Sequence, residues 1–222
     1  MTTLNVYCIP GLGMNALLFK NLELPNCNII PISWLSPKKN ETLPEYAMRL
    51  SAQIDTSKPF VLIGVSFGGM CAIEISKKLQ PLQTILISSC KVCTEIPTAL
   101  RILKYIPLHL LLSDVMYMKC TLFILKRLGV TKALKKEFNE MLKLPPENYY
   151  SRSIDMILNW KNNTIPPRVI HIQGNKDHVL FYKKNVHYDY TIEDGSHFMI
   201  VDKADEINKI IEGETDQFLE RN

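Results

Sequence analysis

The stretch Phe60-Val-Leu-Ile-Gly-Val-Ser-Phe-Gly-Gly-Met-Cys71 decides the fold of this chain. Residues 60–64 form a short apolar run typical of a buried strand, and residues 68–79 have the composition of a helix. Between them lies Gly64-Val-Ser-Phe-Gly68, a G-x-S-x-G sequence at the turn from strand to helix. Such a turn holds its serine in a strained backbone conformation and exposes the hydroxyl above the sheet. We therefore predict that Ser66 is a nucleophile; the alternative is an ordinary serine at a helix start.

A serine hydroxyl needs a general base to become reactive, and the chain has five histidines. His197 lies in Asp194-Gly-Ser-His-Phe198, a glycine-containing loop between a predicted strand and the last helix. This is the carboxyl end of a strand, where catalytic groups of open α/β sheets collect. We predict that His197 is the base, with His178 as the alternative. Strand or apolar-segment positions are expected for the remaining three, His109, His171 and His187.

The histidine in turn needs a carboxylate to orient it. Asp177 ends Gly174-Asn-Lys-Asp177, directly after the apolar run 169–173, which again places it past the end of a strand. Its alternative role is that of an ordinary turn aspartate. Glu95, which follows the predicted strand 84–88, is a second candidate acid. The order serine, aspartate, histidine along the chain fits a strand–serine–helix elbow and favours Asp177.

These motifs, together with Ile9-Pro-Gly-Leu-Gly13, resemble those of the α/β-hydrolase superfamily, in the right order and over nearly the whole chain. The resemblance implies a hydrolase with a Ser66, Asp177 and His197 triad, a mostly parallel sheet, and a helical cap over the pocket. Compared with larger members, the chain is expected to lack two leading antiparallel strands. The proline that often follows the family's aspartate is missing here, a minor departure.

Acyl transfer also requires donors for the oxyanion. One should be the backbone N–H of Phe67, the residue after the nucleophile, and the second should come from the loop after the first strand. The resemblance assigns that second donor to the N–H of Leu12. The family often has His-Gly where this chain has Pro10-Gly11, a departure within this loop.

The same loop has an alternative interpretation as a cofactor site. Gly11-Leu-Gly-Met-Asn-Ala16 fits the dinucleotide pattern G-x-G-x-x-G/A. That pattern also needs an acidic residue at the end of the second strand to hold the ribose. Here the strand predicted at 28–32 ends in Ser33-Trp34, and the next acid is Glu41. We therefore expect no dinucleotide, and no other cofactor or metal.

Composition and charge favour one enzyme domain. The 222 residues carry a net charge of +4 with scattered lysines, which does not indicate nucleic-acid binding. The N-terminus lacks the features of a signal peptide, and the six cysteines are expected to be free thiols. A single Cys90-Lys-Val-Cys93 has no partner pair and is interpreted as a loop. These observations predict a cytoplasmic protein.

The chain alternates between strands and helices, which predicts a parallel sheet with right-handed crossovers. Strands are predicted near 4–9, 27–32, 60–65, 83–88, 168–173 and 187–192. Helices are predicted near 14–21, 43–54, 68–79, 150–160 and 203–220. Residues 92–148 interrupt this order with helices alone. The fold class is therefore α/β: a six-stranded, mostly parallel α/β-hydrolase sheet flanked by helices (1–91 and 149–222), with an all-helical cap inserted at 92–148.

Together these features predict a cofactor-free serine hydrolase that cleaves a carboxylic ester or thioester through an acyl-enzyme. The apolar segment Ile106-Pro-Leu-His-Leu-Leu-Leu112 is expected in the pocket roof, which suggests a hydrophobic substrate; it is too short to span a bilayer, and membrane contact is not expected. An acyltransferase, a lyase, a C–C bond hydrolase or a non-catalytic ligand receptor on this fold are the alternatives. The sequence carries no prediction of oligomeric state.

Overall fold

The computed structural model of the chain describes residues 3–105, 112–123, 125–142 and 146–219. Within these residues the core is a six-stranded sheet of order β2-β1-β3-β4-β5-β6, in which every neighbouring pair is parallel. The strands are β1 Leu4–Ile9, β2 Cys27–Pro31, β3 Phe60–Val65, β4 Gln83–Ile87, β5 Val169–Gly174 and β6 Tyr190–Ile192. The predicted α/β class and six-stranded sheet are confirmed.

The sixth strand is shorter than predicted, because it begins at Tyr190 rather than near 187. Asp189 explains the difference. Its N–H donates to the His171 carbonyl at 3.0 Å, while its side-chain Oδ2 accepts from the His171 N–H at 2.8 Å. A carboxylate thus occupies the place of a strand carbonyl, so the regular ladder starts only after it.

Nine α-helices fall within the described residues. They are α1 Leu43–Leu50, α2 Phe67–Leu79, α3 Thr98–Ile102, α4 Asp114–Phe123, α5 Leu125–Leu128, α6 Lys135–Met141, α7 Tyr149–Leu158, α8 Met199–Asp202 and α9 Ala204–Leu219. Short 3₁₀ turns cover Ala16–Phe19, Ser51–Gln53, Cys93–Glu95 and Leu103–Tyr105. The helix predicted at 14–21 is therefore only the first of these turns, started by the Asn15 side chain, which accepts from the Leu17 N–H.

Two apolar clusters cover the two faces of the sheet, and β3 lies at their centre. Val61, Ile63 and Val65 face one cluster together with Ile207 and Ile211 of α9, so the last helix packs on the sheet. The alternate positions Phe60 and Leu62 face the other cluster, which α1 and α2 complete. Burial on both faces accounts for the unbroken apolar run of β3.

Residues between β4 and β5 carry helices α3–α7, of which α3–α6 lie within 92–148, and no strand occurs in the described part of that range. On α4 the apolar residues Val115 and Leu122 are 54% and 40% exposed, while Tyr117 is buried. On α6, Phe138 and Met141 are buried. Most of the predicted roof segment, residues 106–111, lies outside the described residues. No helix in the described ranges combines the length and apolar character needed to cross a membrane.

Candidate active site

The turn between β3 and α2 presents Ser66 in a strained conformation, with φ 54° and ψ −119°. Close backbone contacts on both sides make this turn possible. A Cβ at Gly64 would lie 2.5 Å from the Gly69 Cα, and one at Gly68 would lie 2.2 Å from the Ile9 carbonyl oxygen. Only glycine fits at 64 and 68, which is the physical reason for the G-x-S-x-G spacing.

The structure brings the three residues predicted for the triad into one chain of hydrogen bonds. Ser66 Oγ lies 3.0 Å from His197 Nε2, and His197 Nδ1 lies 2.8 Å from Asp177 Oδ2. Asp177 and His197 are buried, while Ser66 remains half-exposed. This is the geometry that a serine nucleophile, a base and an orienting acid require.

The loops after β5 and β6 bring Asp177 and His197 together by direct backbone contact. A Cβ at Gly174 would lie 2.1 Å from the Gly195 carbonyl oxygen, so the two loops approach as closely as two glycines allow. The Lys176 N–H donates to that same oxygen at 2.9 Å. Two loops about 20 residues apart in sequence are thereby fixed against each other.

The Asp177 carboxylate remains ionised despite its burial. Burial alone would raise its pKa, but the charge and hydrogen bond of His197 act in the opposite direction. The N–H groups of Val179 and Leu180 donate to Oδ1 at 2.8 and 2.9 Å, and the resulting pKa lies below the ordinary value.

Leu12 and Phe67, the predicted oxyanion donors, line one pocket with Ser66 and His197. Phe67 is the first residue of α2, so its N–H belongs to the free donors of a helix start. The loop that carries Leu12 is held by Trp34 Nε1, which donates to the Met14 carbonyl at 3.0 Å. Their role as donors stays a prediction.

The other candidate residues lie apart from this chain of hydrogen bonds. His178 is exposed, and His187 is exposed and pairs with Asp189 at 3.5 Å. Burial and the nearby charge of Lys91 lower the pKa of His171 to about 3. Glu95 Oε2 accepts from the Lys91 N–H at 2.6 Å. His109 lies outside the described residues.

The glycine loop near the N-terminus is packed by protein side chains. Gly13 has φ 73°, and a Cβ there would lie 2.1 Å from the Tyr150 hydroxyl oxygen. The 3₁₀ turn that follows, Ala16–Phe19, is not the long helix whose start holds a pyrophosphate. The geometry therefore opposes the dinucleotide interpretation.

The cysteines show no arrangement for metal or redox chemistry in the described residues. All six are free, and Cys90 is buried. Cys71, near the elbow, belongs to the core between α2 and the sheet. No group of three or more potential ligands among His, Cys, Asp and Glu is found in the part of the chain that the structure describes.

The pocket above Ser66 has a volume of about 360 Å³ and a mostly apolar lining. Helix α4 contributes Tyr117, Cys120 and Thr121 to its wall, which sequence patterns did not identify. These residues share one helix face, but a tyrosine, a cysteine and a threonine do not form a plainly apolar pattern. Core residues such as Met14, Phe138 and Ile157 complete the lining, so the site can accept an apolar group beside the nucleophile.

The sequence matches no protein-family model, and no curated protein matches it. Solved structures are similar over nearly the full chain. A lipase-esterase related protein from Clostridium acetobutylicum is 19% identical (96% of this chain, 94% of that chain, TM-score 0.68). A thermophilic esterase from Thermogutta terrifontis is 13% identical (97% and 90%, TM-score 0.69). MenH from S. aureus is 14% identical (100% and 96%, TM-score 0.66). With the parallel sheet, these similarities show an α/β-hydrolase fold.

Proposed function

We propose that the chain is a serine hydrolase that cleaves a carboxylic ester or thioester through an acyl-enzyme. The observation that carries the proposal is the hydrogen-bond chain from Ser66 Oγ through His197 to Asp177 at the floor of an apolar pocket. Solved structures of the same fold include esterases, which agrees with this chemistry. The fold alone would not select it, because one fold supports many reactions.

In the first half-reaction, Ser66 Oγ bonds to the substrate carbonyl carbon while His197 Nε2 takes its proton. The carbonyl electrons move onto oxygen, and the N–H groups of Leu12 and Phe67 donate to that oxyanion. Asp177 accepts from Nδ1–H, which keeps Nε2 free to act as the base. Collapse breaks the bond to the alcohol or thiol, which leaves with the proton from His197.

In the second half-reaction, a water molecule replaces the alcohol or thiol. The water oxygen attacks the acyl carbon of acylated Ser66 while His197 Nε2 takes a proton from the water. Collapse of this second oxyanion releases the carboxylic acid and returns the proton to Ser66 Oγ. No cofactor is needed for either step.

The proposal includes a helical cap over the pocket and a cytoplasmic location. We assign residues 92–148 to a cap because α4 supplies Tyr117, Cys120 and Thr121 to the pocket wall. The apolar wall suits a small-molecule substrate with a hydrophobic acyl or alcohol group. Six free thiols agree with a reducing cytoplasm.

Hydrolysis of p-nitrophenyl esters from C2 to C12 tests the proposal. Wild type should hydrolyse esters of one acyl chain length fastest, and the kcat of Ser66→Ala on that ester should be lower by at least about 10³-fold. Ser36→Ala, at an exposed serine, is the matched control and should keep full activity. Equal rates in wild type and Ser66→Ala would contradict the proposal. Inert protein in this assay that binds hydrophobic ligands would instead favour a receptor.

A further inference from the structure

The Asp177 carboxylate has a fourth donor besides His197 and the two backbone N–H groups. Gln173 Nε2 donates to Oδ2 at 3.0 Å, the same oxygen that accepts from His197 Nδ1. Nε2 also donates to the Leu180 carbonyl at 2.9 Å. One buried side chain on β5 therefore ties both the carboxylate and the loop behind it to the sheet.

The chemistry of its neighbours fixes which way the Gln173 amide faces. A carboxylate oxygen and a carbonyl oxygen are both acceptors, so only the NH₂ end can face them. Oε1 must then point away from Asp177. It is buried without an ordinary hydrogen-bond partner among the described residues.

His171 is the neighbour of Gln173 on the same face of β5. It precedes Gln173 by two residues on β5, so both side chains project from the same face of the sheet. Its ring nitrogens are also buried without ordinary partners in the described residues. Burial and the charge of Lys91 lower its pKa to about 3, although the Gln173 side chain acts in the opposite direction. A neutral imidazole carries one N–H, which is the donor that the amide oxygen needs.

We propose that Gln173 is a positioning residue for the Ser66 site, which holds Asp177 Oδ2 toward His197 and shares the negative charge of the carboxylate. This rests on the proposed role of Asp177 in orienting the base. Gln173 acts through Asp177, since it is not among the residues that line the pocket.

Gln173→Met removes this donor at nearly constant volume. The carboxylate then keeps three donors, so its charge is less shared and stabilises protonated His197 more strongly. The protonation midpoint of His197 should rise by about half a pH unit. Looser positioning should lower kcat by roughly tenfold, as for other outer-shell partners, with KM unchanged. Gln217→Met on the exposed face of α9 is the control and should change neither quantity.

Gln173→Glu gives a second, independent signature. When protonated, the new carboxyl can donate its O–H to Asp177 Oδ2 and replace the amide. When ionised, it has no donor and repels Asp177, because two carboxylates that share a site do not both ionise easily. The variant should therefore be active at low pH and lose activity as pH rises and the new carboxyl ionises. Its pH–activity profile gains a decrease that wild type lacks. If residue 173 only filled space, Gln173→Glu would not add this pH-dependent loss of activity.

Other ionisable groups around the cluster stay unchanged in these variants. Cys90 lies near Asp177, Glu95 and Lys183. Lys91 lies near His171. The ring centroids of Tyr188 and His171 are 4.8 Å apart. A shift that appears in the Gln173 variants but not in Gln217→Met therefore reports the amide itself.

The deciding experiment follows His197 protonation by NMR in protein labelled with ¹³Cε1-histidine, with its signal assigned through His197→Gln. A higher midpoint in Gln173→Met supports the proposal, and a midpoint equal to wild type overturns it. If Gln173→Met does not fold, Gln173→Glu carries the test, and absence of a pH-dependent difference from wild type overturns the proposal. This readout needs no turnover. Fluorophosphonate labelling of the same samples tests the proposed function separately: unlabelled wild type would overturn that function without altering the midpoint.

Discussion

At the scale of single residues, the site depends on glycines as much as on its reactive groups. A Cβ at Gly68 would lie 2.2 Å from the Ile9 carbonyl and 2.3 Å from the Pro10 carbonyl, in the loop that carries Leu12. Gly68→Ala should therefore destabilise the protein by about 1–3 kcal/mol and displace that loop, with a large loss of kcat. Urea unfolding and ester turnover measure both effects.

The control for this change is Gly213→Ala, because nothing lies within 4 Å of the added Cβ on α9. That substitution should stabilise the protein by about 1 kcal/mol through helix propensity and leave activity unchanged. Similar behaviour of the two variants would show that the close approach at Gly68 does not shape the site.

The second prediction at this scale concerns Asp177. Asp177→Asn should keep the packing but favour the wrong tautomer of His197, with a loss of about 10⁴-fold in kcat and little change in KM. Asp194→Asn is the matched control, since Asp194 is exposed and lies only three residues before His197. Steady-state kinetics decide between them, and comparable losses in both variants would refute the assignment of the acid.

At the scale of elements, Gly129 in the proposed cap lies against the loop that carries His197. Gly129 follows α5 with φ 86°, and a Cβ there would lie 2.1 Å from the Ser196 Cβ and Oγ. Gly129→Ala should push against the residue before His197 and lower kcat by about tenfold or more. The measurement is kcat beside the urea midpoint. An unchanged kcat in folded Gly129→Ala would mean that the contact between Gly129 and Ser196 does not position His197.

The elements also show where sequence patterns suffice. The strands could be predicted because burial on both faces leaves short apolar runs between polar turns, as in β3. The start of β6 could not be predicted, since a side chain, Asp189, replaces a backbone acceptor there. On α4, residues Val115 and Leu122 follow a helical apolar period yet face outward, while Tyr117 and Thr121 face the pocket. Hydrophobic period predicts a helix more securely than it predicts which face is buried.

At the scale of the whole molecule, the parallel sheet explains why distant motifs could be combined. Carboxyl ends of neighbouring parallel strands meet at one edge, so Ser66, Asp177 and His197 could be placed together from their positions after strands. Gln173 could not be found in this way, because a glutamine inside an apolar run gives no signal of the carboxylate it contacts. The structure shows that Gln173 contacts Asp177 and Leu180 because the loop after β5 folds back over the strand.

The acid stability of the whole protein follows in part from Asp177. Its folded pKa lies below the unfolded value of about 3.9, so its contribution is present above that pH and is lost as pH falls through the folded pKa. The difference in unfolding free energy between wild type and Asp177→Asn should shift against wild type as pH falls from about 5 to 3. Urea unfolding across this range measures it, and a constant difference down to about pH 3 would contradict the lowered pKa.

The central claim is that Ser66 is a live nucleophile activated by His197. The most direct measurement is labelling of the folded protein with a fluorophosphonate, followed by mass spectrometry of the peptide that carries the adduct. The account predicts one adduct on Ser66, none in Ser66→Ala, and labelling slower by about 10³-fold or more in His197→Gln. Folded wild type that stays unlabelled, or an adduct elsewhere that persists in Ser66→Ala, would contradict it.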